Sequence, residues 1–237
     1  MKNNTYKEEI ENLLKKESKI NVIECFKENY LSLFLIYIVI FILSYDNFFL
    51  GIITFYFILY LSYNDHKSAH KIRNIFSIIH CYHHENNNFF SHFIQILLEI
   101  SLVGIFTPLY YIFGTIFFNP WVLLFFILFY SSVHNINYSY LHINNVHKLH
   151  HEFYNTNIGP DILDIIFETK HPSEDTVENT NHYIPNIIIT FLFVIFLKYL
   201  WNIDNNKKRM LLLLNYFLFI SFSILISTAI YLTYIKY

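Results

Sequence analysis

The stretch DHKSAHKIRNIFSIIHCYHHE, residues 65–85, decides how the rest of the chain is read. It carries five histidines in two patterns, HxxxH (His66, His70) and HxxHH (His80, His83, His84). A second HxxHH follows at His147, His150 and His151, with His134 and His142 shortly upstream. Of 13 histidines in the chain, 11 lie between residues 66 and 151, a concentration rather than a scatter. Residues three and four apart share a helix face, so each group aims several imidazoles in one direction. Imidazole is the side chain most used for transition metals at neutral pH. The clusters therefore predict a metal centre. His66 and His84 would stand ~27 Å apart on one straight helix, whereas the two metals of a dinuclear site lie roughly 3.5–4 Å apart. The chain must turn between His70 and His80, near Arg73-Asn74.

Outward from this stretch the sequence is that of a membrane protein. Apolar residues make up 54% of the 237, charged residues only 14%, and mean hydropathy is +0.35. The apolar residues fall in blocks at 31–45, 48–63, 89–118, 121–132, 184–201 and 210–235. We expect an all-α integral membrane protein with about six spanning helices and a cytosolic, histidine-rich di-metal cap. The block 89–118 is interrupted by His92, Gln95, Glu99 and Pro108. His92 reads as an interfacial or structural histidine. Glu99 either faces a polar site or sits at an interface, and it is left out of the ligand set. The net charge of −2 says nothing about nucleic acid, no basic stripe appears, and no nucleic-acid partner is expected.

The length suits one domain, preceded by a polar N-terminal segment. Residues 1–28 are polar, with Ile10, Leu13, Leu14 and Ile20 at roughly helical spacing, and carry no signal-peptide pattern. Residues 29–237 form one membrane domain, with histidine boxes at 66–84 and 134–151. Six crossings put both termini on the histidine side, together with 12 of the 16 Lys and Arg residues. The positive-inside tendency makes that side cytosolic, although Lys207, Lys208 and Arg209 fall opposite. Cys25 and Cys81 give no disulfide framework, and Cys81 inside a histidine cluster fits a reducing face.

Ligand counting narrows the chemistry. A structural zinc takes four ligands, so eight or more histidines call for two ions. Nitrogen-rich ligation suits Fe, Zn, Cu or Ni. A dinuclear iron site at a membrane surface points to oxygen activation. Glu85 and Glu152 each follow an HxxHH; a carboxylate there either orients a ligand histidine or is a plain surface group.

The ordered boxes HKSAH, HCYHH, His134 in SSVHN and HKLHH resemble the fatty acid hydroxylase / sterol desaturase superfamily of membrane di-metal oxygenases. The tail HKLHHEFYNTNIGPDILDIIFET is similar to that family's last box, with Asn155, Asn157, Gly159, Asp164 and Thr169 in place and Glu168 where Gly is usual. The resemblance covers about residues 30–170. It implies an iron-dependent, O2-using hydroxylase or desaturase acting on a sterol, fatty acyl chain or related lipid in the bilayer. It also implies two iron ions, with zinc possible as isolated, electrons from a reduced donor such as cytochrome b5, and residence in the endoplasmic reticulum or its equivalent. The implied metal ligands are His66, His70, His80, His83, His84, His134, His147, His150 and His151, with His142 where some members have an additional histidine. Helices after residue 184, and the segment HPSEDTVENTNHYIPN with His171 and His182, have no counterpart in that pattern. Two other readings remain: a catalytically inactive lipid-binding relative, and a membrane metal-binding or transport protein, which predicts ligands near the bilayer midplane.

Overall fold

The computed structural model describes residues 21–86, 88–113, 117–203 and 206–236, and all regular structure among them is helical. The helical spacing expected at Ile10, Leu13, Leu14 and Ile20 lies outside the described residues. Helix α1 (Val22–Glu28) begins with a capping box between Asn21 and Glu24 and meets α2 (Tyr30–Leu43) at Asn29 with a 79° bend. A short turn then leads into α3 (Phe48–Ala69), capped by Asn47, whose side chain accepts from the Leu50 amide at 3.1 Å. Gly51 makes this hairpin tight: a Cβ there would lie 2.0 Å from Ser44 Oγ.

The remaining helices are α4 (Ile75–Glu85), α5 (Phe89–Phe113), α6 (Pro120–Ser132), α7 (Val146–Glu152), α8 (Asp161–Ile166), α9 (Ile184–Asn202) and α10 (Asn206–Lys236). A π-helical segment, Val133–Tyr140, continues α6, and a 3-10 turn, Thr180–Tyr183, leads into α9. Asn119 starts α6 by accepting from the Trp121 and Val122 amides, and Pro120 occupies the first turn, where its missing N–H costs nothing.

Among the described residues, four helices are long and apolar enough to cross a membrane: Phe48–Ala69, Pro120–Tyr140, Thr180–Asn202 and Arg209–Tyr234, or five if the bent pair α1–α2 counts as one span. The expected six are not reached among the described residues, where Phe89–Ser101 of α5 counts as a shorter apolar helix. Pro120–Tyr140 is 67% buried, against 17–28% for the other three, so α6 is the central post and the others face outward. Around it, Phe125, Phe126 and Phe129 pack with Ile40 and Leu43 of α2, Phe55 and Ile58 of α3, and Ile187 and Val194 of α9. The outer faces carry exposed Phe49, Ile53, Ile189, Leu192, Phe193, Leu213 and Phe219, which suit lipid rather than water. A second core joins Ile79 of α4 and Ile94, Leu97 and Leu98 of α5 to Leu225 and Ala229 of α10. The last helix, outside the resemblance, thus buttresses the helix bearing the first HxxHH.

Candidate metal centre

The turn that separates His70 from His80 is built by capping. Helix α3 ends at Ala69 with His70 as its cap, and α4 restarts at Asn74, whose side chain accepts from the Ser77 amide at 2.9 Å while Ser77 Oγ accepts from the Asn74 amide at 2.7 Å. This folds the HxxxH back against the HxxHH, as the length of a straight helix requires.

Eight histidines then gather in two groups. His66, His70, His80, His84 and His150 each offer a ring nitrogen, all within 4.8 Å of one another; His83, His134 and His147 form the second group. Each HxxHH therefore serves both groups: α4 sends His80 and His84 to one and His83 to the other, and α7 sends His150 to one and His147 to the other. A shared helix face would point all three together; instead the angular offsets divide them, between i+3 and i+4 on α4 and between i and i+3 on α7.

Hydrogen bonding alone cannot satisfy the first group. Its Nε2 atoms approach in a chain: His66 to His150 at 2.9 Å, His150 to His70 at 3.3 Å, His70 to His80 at 3.1 Å and His80 to His84 at 3.0 Å. A neutral imidazole nitrogen bears either one proton or one lone pair, so the nitrogens facing two neighbours cannot serve both well. His150 Nδ1 donates to the Thr156 carbonyl at 2.7 Å, which assigns its proton to Nδ1 and leaves Nε2 as a lone pair aimed at the group. A shared cation satisfies converging lone pairs. In the second group, His83 is 1% exposed with neither ring nitrogen hydrogen-bonded, and His134 Nε2 is likewise buried without a partner. The residues fit metal ions.

Burial also keeps the imidazoles neutral, the form that ligates. It lowers His70 to about 4 and His150 to about 3, and pushes His80 and His147 well below the ordinary 6.5. Neighbouring imidazoles add to the effect at His80 and His147.

The other candidates lie nearby. His151 Nε2 is 2.9 Å from His147 Nε2, and its ring stacks on His84 at 4.0 Å, so it sits between the two groups. His142 is exposed, with φ of 50°, and belongs to neither group. It borders a cavity of about 400 Å3 shared with His83, His92, Lys148 and His151. The His92 ring is 5.1 Å from that of His83. Glu85 and Glu152 are exposed. The residue that sequence reasoning left aside is Glu99. It is 4% exposed; His134 Nδ1 donates to its Oε1, Gln95 Nε2 donates to the same oxygen at 2.9 Å, and Asn135 Nδ2 donates to Oε2 at 2.6 Å. An acid inside an apolar run was the available signal.

The tail after the last box is a clasp. Asp164 accepts from the Ile158 amide at 3.0 Å, the Gly159 amide at 3.2 Å and Thr169 Oγ1 at 2.7 Å, and Tyr63 of α3 donates to Thr169. Asn157, at φ 50°, donates its amide to the Thr169 carbonyl at 2.7 Å and its side chain to the Val146 carbonyl at 3.3 Å. These bonds pin α7 against α3. The segment 171–183 continues the clasp: Glu178 accepts from Tyr138 at 2.7 Å, and Thr180 donates to Asn29 from its amide at 2.7 Å. A smaller cavity, about 80 Å3, lies between the clasp and α6, lined by His66, Tyr130, Val133, His134, Val146 and Ile158. No protein-family model, curated protein or solved structure matches this chain.

Proposed function

We propose that this protein is an O2-dependent di-iron lipid hydroxylase or desaturase of the fatty acid hydroxylase / sterol desaturase type. The observation that carries the reading is the convergence of eight buried or half-buried imidazoles, in two groups, at one end of a bundle of apolar helices. His66 and His134 are on candidate spans, His66 near the end of one and His134 in the π-helical part of another. This suits a centre at the membrane edge better than a transport site at the midplane. Two irons bound there would supply the activation of O2 that side chains lack. The chain's own residues would do the rest. Tyr130, Val133, Val146 and Ile158 offer an apolar lining for part of a lipid beside His134 and His147. Burial of the histidines excludes water, and the clasp holds their helices in register. The proposal includes six crossings, a histidine side facing the cytosol of an endoplasmic-reticulum-type membrane, and electrons from a reduced protein donor such as cytochrome b5.

Because His83 and His150 belong to different groups, two single variants test the reading. The full chain, purified in detergent and supplied with iron, should hold two ions, and His83→Ala and His150→Ala should each lose one. Each should also fail to oxidise a membrane lipid extract, read by mass spectrometry with a reductant present. Full metal content in both variants would overturn the centre. Two bound irons with no lipid oxidised by the unmutated chain would turn the reading to an inactive relative.

A further inference from the structure

Glu99 distinguishes the two histidine groups. Its carboxylate lies in α5, 35 residues from His134 in sequence, and is closed in by three N–H donors: His134 Nδ1, Gln95 Nε2 and Asn135 Nδ2. Asn135 is itself fixed, since its Nδ2 also donates to the Ser131 carbonyl at 2.9 Å. Three donors and no acceptor suit an ionised carboxylate, which only accepts. The bond to Nδ1 places the His134 proton there and leaves Nε2, buried and without a hydrogen-bond partner, as a lone pair beside His83 and His147. The five-histidine group has a different backing, the neutral Thr156 carbonyl on His150.

We propose that Glu99 is a positioning residue: it fixes the tautomer and direction of His134 and supplies the negative charge behind the group His83, His134 and His147. This rests on the metal-centre reading and adds that the two metal positions are inequivalent, one held by five imidazoles of which His150 is backed by a neutral carbonyl, the other by three with an anion behind them. With three imidazoles, that position leaves a place for a further ligand, as a catalytic metal typically does. It borders both cavities through His147.

A substitution to glutamine keeps the shape and removes the charge. Its amide then meets the donors of Asn135 and Gln95, or turns its NH2 toward His134 Nδ1 and reverses the tautomer. The full chain in detergent, titrated with cobalt(II) and followed by visible absorption and equilibrium dialysis, provides the test. The unmutated protein is expected to bind two ions. Glu99→Gln is expected to bind one as tightly as before and the other roughly 10–100-fold more weakly, the usual effect of removing such a partner. Glu99→Asp, which keeps the charge on a shorter arm, should fall between them. His70→Ala should weaken the opposite ion, and unchanged binding of the first ion by Glu99→Gln serves as its folding control. Equal binding of both ions by Glu99→Gln, or loss of both, would overturn the proposal. Fewer than two ions on the unmutated chain would instead overturn the metal-centre reading beneath it.

Discussion

Glu168 holds its backbone at φ 55°, in the left-handed region just past the end of α8. Helices often stop this way, usually with glycine, because a Cβ crowds the carbonyl there. The Thr169 amide closes the turn by donating to the Asp164 carbonyl at 2.7 Å. Glutamate at this place costs about 1–2 kcal/mol, and glycine's extra freedom in the unfolded chain takes back roughly 0.5–1 kcal/mol. The strain outweighs the freedom. Glu168→Gly should therefore raise stability by about 0.5–1 kcal/mol, visible as a higher unfolding midpoint in detergent with metal content unchanged. Glu168→Ala should show no such gain. The oddity was visible in the sequence as a glutamate in a glycine's place. Glu99 was visible only as an anomaly, because two of its three partners are 35 and 36 residues away, and the local one, Gln95, does not point to them.

The elements differ in how far they could be read. The break between α3 and α4 followed from arithmetic on helix length, and Asn74 and Ser77 supply a cap that local sequence can specify. The π-helical turn carrying His134 was not legible. Its amide pattern, with Leu141 donating to the Ile136 carbonyl at 2.8 Å, has no residue signature and depends on what packs around it. The division of each HxxHH between two groups was equally hidden, since it needs the relative placement of α4 and α7. The close approach of the tail after α7 to α3 depends on Gly159, where a Cβ would stand 2.7 Å from Tyr63 Cδ2. Gly159→Ala should push α7 away from α3, lowering both the unfolding midpoint and metal retention. Tyr63→Phe removes only the bond to Thr169 and should cost about 1 kcal/mol, with metal retained. Equal loss from both variants would show that the hydrogen bond, not the close approach, holds the clasp.

At the scale of the molecule, the buried histidines set a pH dependence. Burial holds His70 and His151 at about 4 and His150 at about 3, below the ordinary 6.5. Between pH 6.5 and about 4 the unfolded chain takes up protons that these groups refuse in the fold. Their contribution is full above 6.5 and lost as pH falls through that window. Asp164 and Glu178 act oppositely: burial raises each to about 7, so their contribution is full below the ordinary carboxylate range and lost as pH rises toward 7. Two acids are outnumbered, since His80, His83, His84 and His147 are lowered as well. The chelator-treated protein should thus lose thermal stability from pH 7 to pH 5; a flat or rising midpoint would contradict the balance. Membrane character and helical class were plain from composition, because lipid demands long apolar runs. The number of spans was not, because α5 mixes apolar residues with Ser91, Gln95 and Glu99, all buried against protein. The two cavities carry a further consequence. The larger is bordered by exposed His142, Asn145 and Lys148, the smaller by Tyr130, Val133, Val146 and Ile158 beside His66 and His134, and they share Tyr138 and His147. Under the proposed lipid oxidation, a greasy molecule and a hydrophilic one would have separate doors to the same room. An azide-sized inhibitor entering from the wet side would then be expected to slow lipid oxidation without competing for the lipid's place.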